Sequence, residues 1–151
     1  MATGGQMGTL SRPSALIRPT LDTKFHIDYE WWDRTDEDLR IYLLSHLQPE
    51  QREIVAQSQE SRTVDHIDPE TGEVFRMDEL ELALHLAAQD PEFINPHTSL
   101  VDSVFRVFLR NQNTPLSPRE LEVETGRPAE TIRKTFSGVR IYKGIRPYSE
   151  D

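Results

Sequence analysis

Apolar and polar residues alternate across 24–32. Phe25, Ile27, Tyr29 and Trp31 fall on one side, and His26, Asp28, Glu30 and Trp32 on the other. A period of two is that of a strand with one apolar face, so the stretch predicts a β-strand. The period then lengthens. Leu39, Tyr42, Leu43 and Leu47 share one face of a helix expected over about 36–47, with Thr35 and Asp38 spaced to cap it. Pro49 opens a polar helical stretch, PEQREIVAQSQ, expected at the surface. Residues 63–67 and 73–77 predict a hairpin around DPETG, with Pro69 early in the turn and Gly72 at a positive-φ position. With the first strand this hairpin would make a three-stranded antiparallel sheet. Asp78 predicts the cap of a helix to about Gln89, apolar on two sides through Leu80, Leu84 and Ala87 and through Leu82 and Leu86. Such a helix is sandwiched in a core or shared with a partner.

Residues 90–97, with Pro91 and Pro96, predict a linker. Ser99 and Asp102 then cap a long apolar helix carrying Val101, Val104, Phe105, Phe108 and Leu109. Two short helices follow across a tight turn. Ser117 caps the first, Pro118 takes its first position, Glu120 completes a capping box and Leu121 anchors it. Gly126 ends it where a positive φ is needed. Pro128 opens the second, and Ile132 and Phe136 place apolar side chains on its inner face. Residues 139–142 and 145–148, around Lys143 and Gly144, predict a closing hairpin. The fold class is therefore α+β. A flexible tail is expected over 1–23, whose opening MATGGQMG resembles a phage-derived expression leader. An α+β domain with a small antiparallel sheet is expected over 24–97, and a helical domain ending in the hairpin over 98–151.

The residues Leu121, Thr125, Gly126, Pro128, Thr131 and Ile132, in the pattern L-x3-TG-x-P-x2-TI, resemble the helix-turn-helix family. With the hairpin behind the second helix, the segment is similar to winged-helix domains. The resemblance implies that Gly126 makes the turn, that Ile132 locks the second helix onto the first, and that the second helix enters the major groove of DNA. Glu122 departs from the pattern, because the family usually has a small residue four before the glycine. Either Glu122 points outward or the two helices cross differently. The hairpin also has a plainer reading, in which Ile141 and Ile145 simply close the core.

Charge changes the picture. The 151 residues carry a formal net charge of −9, which opposes nucleic-acid binding. Its distribution does not: residues 1–104 hold 8 basic and 20 acidic side chains, whereas 105–147 hold 9 basic and 4 acidic. The positive charge lies on the helix-turn-helix segment, and a local basic patch is what phosphate contact needs. Arg127, Arg133, Lys134, Arg140, Lys143 and Arg146 fall on the turn, the second helix and the hairpin. Ala129, Glu130, Thr131 and Arg133 are expected on the outer face near the start of the second helix, within reach of base edges. Arg133 would pair with guanine and Glu130 accept from cytosine.

Other chemistry is weakly marked. There is no cysteine, which excludes disulfides, zinc–cysteine sites and thiol catalysis. No apolar run approaches a membrane span, and no signal peptide is evident. His26, Asp28 and Glu30 would share a strand face, with Asp65 and His66 on the hairpin, but no ligand pair has a diagnostic spacing. Glu30 and Asp65 would be the candidate acid–base pair. Of Trp31 and Trp32, one should face the core, and an exposed Trp32 would either make an interface anchor or simply cover an edge strand. The expectation is a cytoplasmic, non-enzymatic transcriptional regulator without cofactor. It would bind double-stranded DNA and use its N-terminal half to form a homodimer or bind a protein partner. A protein- or RNA-interaction module within a transcription or ribosome assembly is the alternative, and an enzyme with a site in the N-terminal half is the third reading.

Overall fold

Phe25 and Ile27 are almost wholly buried and His26 between them is not, as a period of two requires. The computed structural model describes residues 18–57, 63–67 and 69–149. Strand β1 spans only Phe25–Ile27. The alternation expected to continue to 32 is replaced by helix α1, Tyr29–Asp33. Asp28 accounts for the switch: its carboxylate accepts from the Glu30 amide at 3.0 Å and satisfies a first-turn donor. The helical turn carries both tryptophans inward. Trp32 is buried and Trp31 half-buried against the core, so Trp32 is not the exposed member of the pair.

Helix α2 is Leu39–Leu44, capped by Asp38, which accepts from the Ile41 amide at 3.2 Å. Thr35 plays no part in that cap. Helix α3, Pro49–Gln57, lies at the surface and buries only Val55. Strands β2, Thr63–Ile67, and β3, Val74–Asp78, pair antiparallel with Ile67 opposite Val74. Helix α4, Glu79–Ala87, begins with a full capping box between Asp78 and Glu81. Leu80 and Leu84 bury against Leu47 and Val55 of the same chain. That leaves Leu86 as the large exposed apolar residue of α4, less than the second face expected for a partner. The expected linker folds in part as a 3-10 turn, Pro91–Phe93, whose Phe93 is buried. Helix α5 is Leu100–Arg110, α6 Pro118–Thr125 and α7 Ala129–Phe136.

The expected three-stranded sheet does not form. β1 pairs antiparallel with the last strand, β4, Ile145–Pro147, with Ile27 opposite Ile145. The fold is α+β, with two separate two-stranded antiparallel sheets among the described residues. Phe25, Ile27 and Trp32 share one core with Phe105 and Phe108 of α5, Leu121, Ile132 and Ile145. The boundary expected at 97 is thus crossed by both a strand pairing and a core. Residues 139–140 are exposed bends, not a strand, and Tyr142 makes only an isolated bridge to Ile145. The returning strand uses its pairing capacity on β1 instead. Most of the expected tail, residues 1–17, lies outside the described residues.

The second edge of β1 is closed by an unusual device. Phe25 exchanges two backbone hydrogen bonds with Leu116, at 2.7 and 3.0 Å. Next to it, the Asn113 amide accepts from the Ile27 N–H at 2.8 Å and donates to the Ile27 carbonyl at 2.9 Å. Asn113 holds φ at +59°, a region asparagine visits more readily than most residues. Asn113→Ala should cost about 2 kcal/mol, because it strands one backbone donor and one acceptor away from water. Asn113→Asp should be no milder, since it sets a carboxylate oxygen against the Ile27 carbonyl. Urea denaturation of both variants checks this; an aspartate variant as stable as the unmutated chain would refute the assignment.

Candidate nucleic-acid interface

Ser117 and Glu120 build the start of α6 as the capping box expected there, with Ser117 Oγ accepting from the Glu120 amide at 3.2 Å and Glu120 Oε1 accepting from the Ser117 amide at 2.9 Å. Glu120 also pairs with Lys24. The Lys24 hydrogen bond, then the Ser117 amide, holds the Glu120 carboxyl below the usual carboxylate range. Gly126 closes α6 in the left-handed region at φ +74°.

Glu122 explains the departure from the helix-turn-helix pattern. Pro128 occupies the N-cap of α7 and offers no side-chain acceptor. Glu122 is exposed and reaches across the turn instead, its Oε1 accepting from the Ala129 amide at 2.9 Å. A small residue at 122 would leave that first-turn amide without this partner. The inward side of α7 is Ala129, Ile132 and Phe136, all buried. Ala129 therefore faces α6 and cannot serve as a base-contact residue. Glu130, Thr131 and Lys134 are exposed, and Arg133 is half-buried beside them.

The six cations do not form one free patch. Arg133 donates from Nε to both Glu130 carboxylate oxygens at 3.1 Å and from Nη2 at 2.5 Å. This bond holds the Glu130 carboxyl below its ordinary range. Lys143 pairs with Glu37 and lies over the Tyr42 ring. Arg146 reaches Asp28 at 3.4 Å, where Arg34 also approaches. Arg127 donates to the carbonyls of Pro96 and Thr98, tying the turn to the start of α5. Arg140 lies over the Tyr142 ring. Among the described residues, no carboxylate pairs with Lys134, Arg140 or Arg127.

The candidate metal and acid–base groups are scattered. With 29–33 helical, Glu30 leaves the face shared by His26 and Asp28. His26 packs edge-on against Tyr148, and Asp28 is occupied as a helix cap and by Arg146. The side chains of Asp65 and His66 lie outside the described residues. No group of three or more acidic or histidine side chains among those described is placed to hold a metal.

A polar network between α2 and α5 escaped sequence reasoning. Tyr42 donates to Asp102 Oδ1 at 2.5 Å, and burial, then this bond, raises its phenol above the ordinary range. His46 is 5% exposed, stacks parallel on Phe105 at 5.3 Å, and packs edge-on to Tyr42 at 4.6 Å. Its Nδ1 accepts from Arg106 Nε at 3.0 Å, so the neutral ring carries its proton on Nε2, which is buried without a partner. Burial, then the Arg106 charge, lowers the His46 pKa to about 4. Arg106 also donates from Nη1 to the Phe93 carbonyl at 2.9 Å. The only hint in the sequence is Arg106 in the middle of the apolar run LVDSVFRVFLRN; its partner lies 60 residues away.

No protein-family profile, curated protein or solved structure matches this chain. No helix among the described residues is long and apolar enough to cross a membrane.

Proposed function

We propose that the chain is a non-enzymatic DNA-binding protein, a transcriptional regulator of winged-helix-like type that lays the outward face of α7 in the major groove. The observation that carries this reading is the unit α6–turn–α7. A left-handed glycine sets the turn, Ile132 and Phe136 lock α7 inward, and Thr131, Lys134 and the Glu130–Arg133 pair are left outward. Lys134 and Arg140 contact phosphate, and Arg133 reads a base edge. Since Arg133 and Glu130 hold each other in the free protein, both must change partner on binding, which favours sites that satisfy both over random duplex.

A second reading, an interaction module for protein or RNA, draws support from the three cations already matched to carboxylates. The exposed Val123 and Val139 favour it too, because they offer apolar rather than phosphate contacts. Fluorescence anisotropy on a selected site and on random duplex, across a salt series, separates the two. Lys134→Ala should reduce the salt slope by about one. Arg133→Ala should lower affinity for the selected site roughly tenfold and relax preference at one base pair. If the unmutated protein binds no duplex at low salt, the DNA reading fails.

A further inference from the structure

A cavity of about 550 Å³ opens where the end of α2 and start of α3 meet the end of α4, the 3-10 turn and α5. Nothing from α6 or α7 lines it. That volume is in the range of small-molecule sites. Its charged lining is unusual. Arg106 and Arg52 are both held by neutral acceptors: Arg106 by His46 and the Phe93 carbonyl, Arg52 by the carbonyls of Leu44 and Leu47 at 3.3 and 3.2 Å. Glu50, Asp90 and Glu92 line the same cavity, yet no ion pair joins them to either arginine among the described residues.

Arg106 is the key group. Nε and Nη1 are fixed by His46, Phe93 and Thr98. Among the described residues Nη2 has no acceptor, and it is not among the solvent-sealed atoms. Arg106 is half-buried, and Asp102 offsets the cost of that burial only in part. A guanidinium held at two nitrogens with the third left open is oriented in advance to donate to an oxyanion. The exposed carboxylates of Asp90 and Glu92 lie in the same cavity; one Asp90 oxygen accepts from the Glu92 amide at 2.9 Å, and no ion pair engages either group among the described residues.

We propose that this cavity binds a small zwitterion, an α-amino acid or short peptide. Arg106 Nη2 would take its carboxylate, and Asp90 and Glu92 its ammonium group. Charge complementarity argues for both ends: an anion alone would meet three carboxylates, and a cation alone two guanidinium groups. The site is independent of the α7 surface, so it stands or falls apart from DNA binding.

The test uses the full chain, with pools of the twenty amino acids and simple dipeptides as probes, read by thermal shift and then by isothermal calorimetry. At least one amino acid or dipeptide should raise the melting temperature, since a ligand that binds only the folded state stabilises it. Acetate, inorganic phosphate and ethylamine should bind at least tenfold more weakly, because each lacks one of the two charge-assisted contacts. Glu92→Gln removes a carboxylate with no side-chain partner among the described residues and should weaken binding about tenfold on the same grounds. Arg106→Gln should abolish binding, provided circular dichroism shows it folded; Glu92→Gln keeps the proposal testable if it is not. The proposal is overturned if no probe shifts melting or gives heat. It is equally overturned if acetate or phosphate binds as tightly as any amino acid, or if binding survives Glu92→Gln unchanged.

Discussion

Gly144→Val should unfold the protein over a range of urea in which the unmutated chain stays folded, costing about 3 kcal/mol or more. Two effects combine. Gly144 holds φ at +79°, a region that β-branched residues resist. It is also buried: a Cβ there would lie 2.9 Å from the Asp28 carbonyl oxygen and 3.0 Å from Trp32 Nε1. The first of these neighbours is backbone and cannot swing aside, and the Asp28 amide is itself bonded to the Gly144 carbonyl at 2.8 Å. The sequence suggests otherwise, a glycine at the tip of a surface wing where valine would weaken DNA binding and leave stability alone. Gly126 supplies the control. It has nearly the same φ, +74°, but nothing within 4 Å of a Cβ, so Gly126→Val should show backbone strain alone, about 1–2 kcal/mol. Equal urea midpoints for the two valine variants would show that the contacts around Gly144 are not what decides the effect.

The same residue shows where sequence reading stops. Helices α4 to α6 are legible because their caps and apolar spacing are local: Asp78 with Glu81, Ser99 with Asp102, and Ser117 with Glu120 act within one turn. The β2–β3 hairpin is legible because Gly72 marks its turn. Strand partners are not local. Nothing near Phe25 states that it pairs with Pro147, and a period of two over 24–32 cannot reveal that Asp28 diverts the chain into a helix. The α7 surface is half legible for a related reason. Spacing along a helix places Lys134 and Arg133 outward, but the carboxylates that engage Lys143 and Arg146 come from Glu37 and Asp28, more than 100 residues away. A basic run counted along the chain therefore overstates the free positive charge. The cavity at Arg106 was invisible for the same cause, since its walls come from five separate elements.

Lowering the pH from 7 to 4 should destabilise the fold through His46, by about 3 kcal/mol, and His46→Gln should remove that part of the loss. In the folded chain the ring is sealed between Phe105 and Tyr42, with Arg106 bonded to Nδ1 and Lys143 adding repulsion; Asp102 offsets this only in part. Its folded pKa is about 4, against an ordinary value of 6.5. As pH falls below 6.5 the unfolded chain takes up a proton that the folded chain refuses. The stability is therefore complete above 6.5, drains away down to about 4 and is constant below. Protonating the folded ring would also place two cations in contact, because Nδ1 could no longer accept from Arg106. His26 shifts in the same direction by burial, and Glu120 and Glu130 lose their favourable bonds in acid, but all three titrate in both proteins and cancel in the comparison. Glutamine keeps an oxygen that can accept from Arg106 Nε while carrying no titrating proton. Urea midpoints measured at half-unit steps from pH 7 to pH 4.5 should fall steeply for the unmutated chain and more gently for His46→Gln. Parallel curves between pH 6.5 and 5 would place the acid sensitivity elsewhere and show that His46 titrates normally.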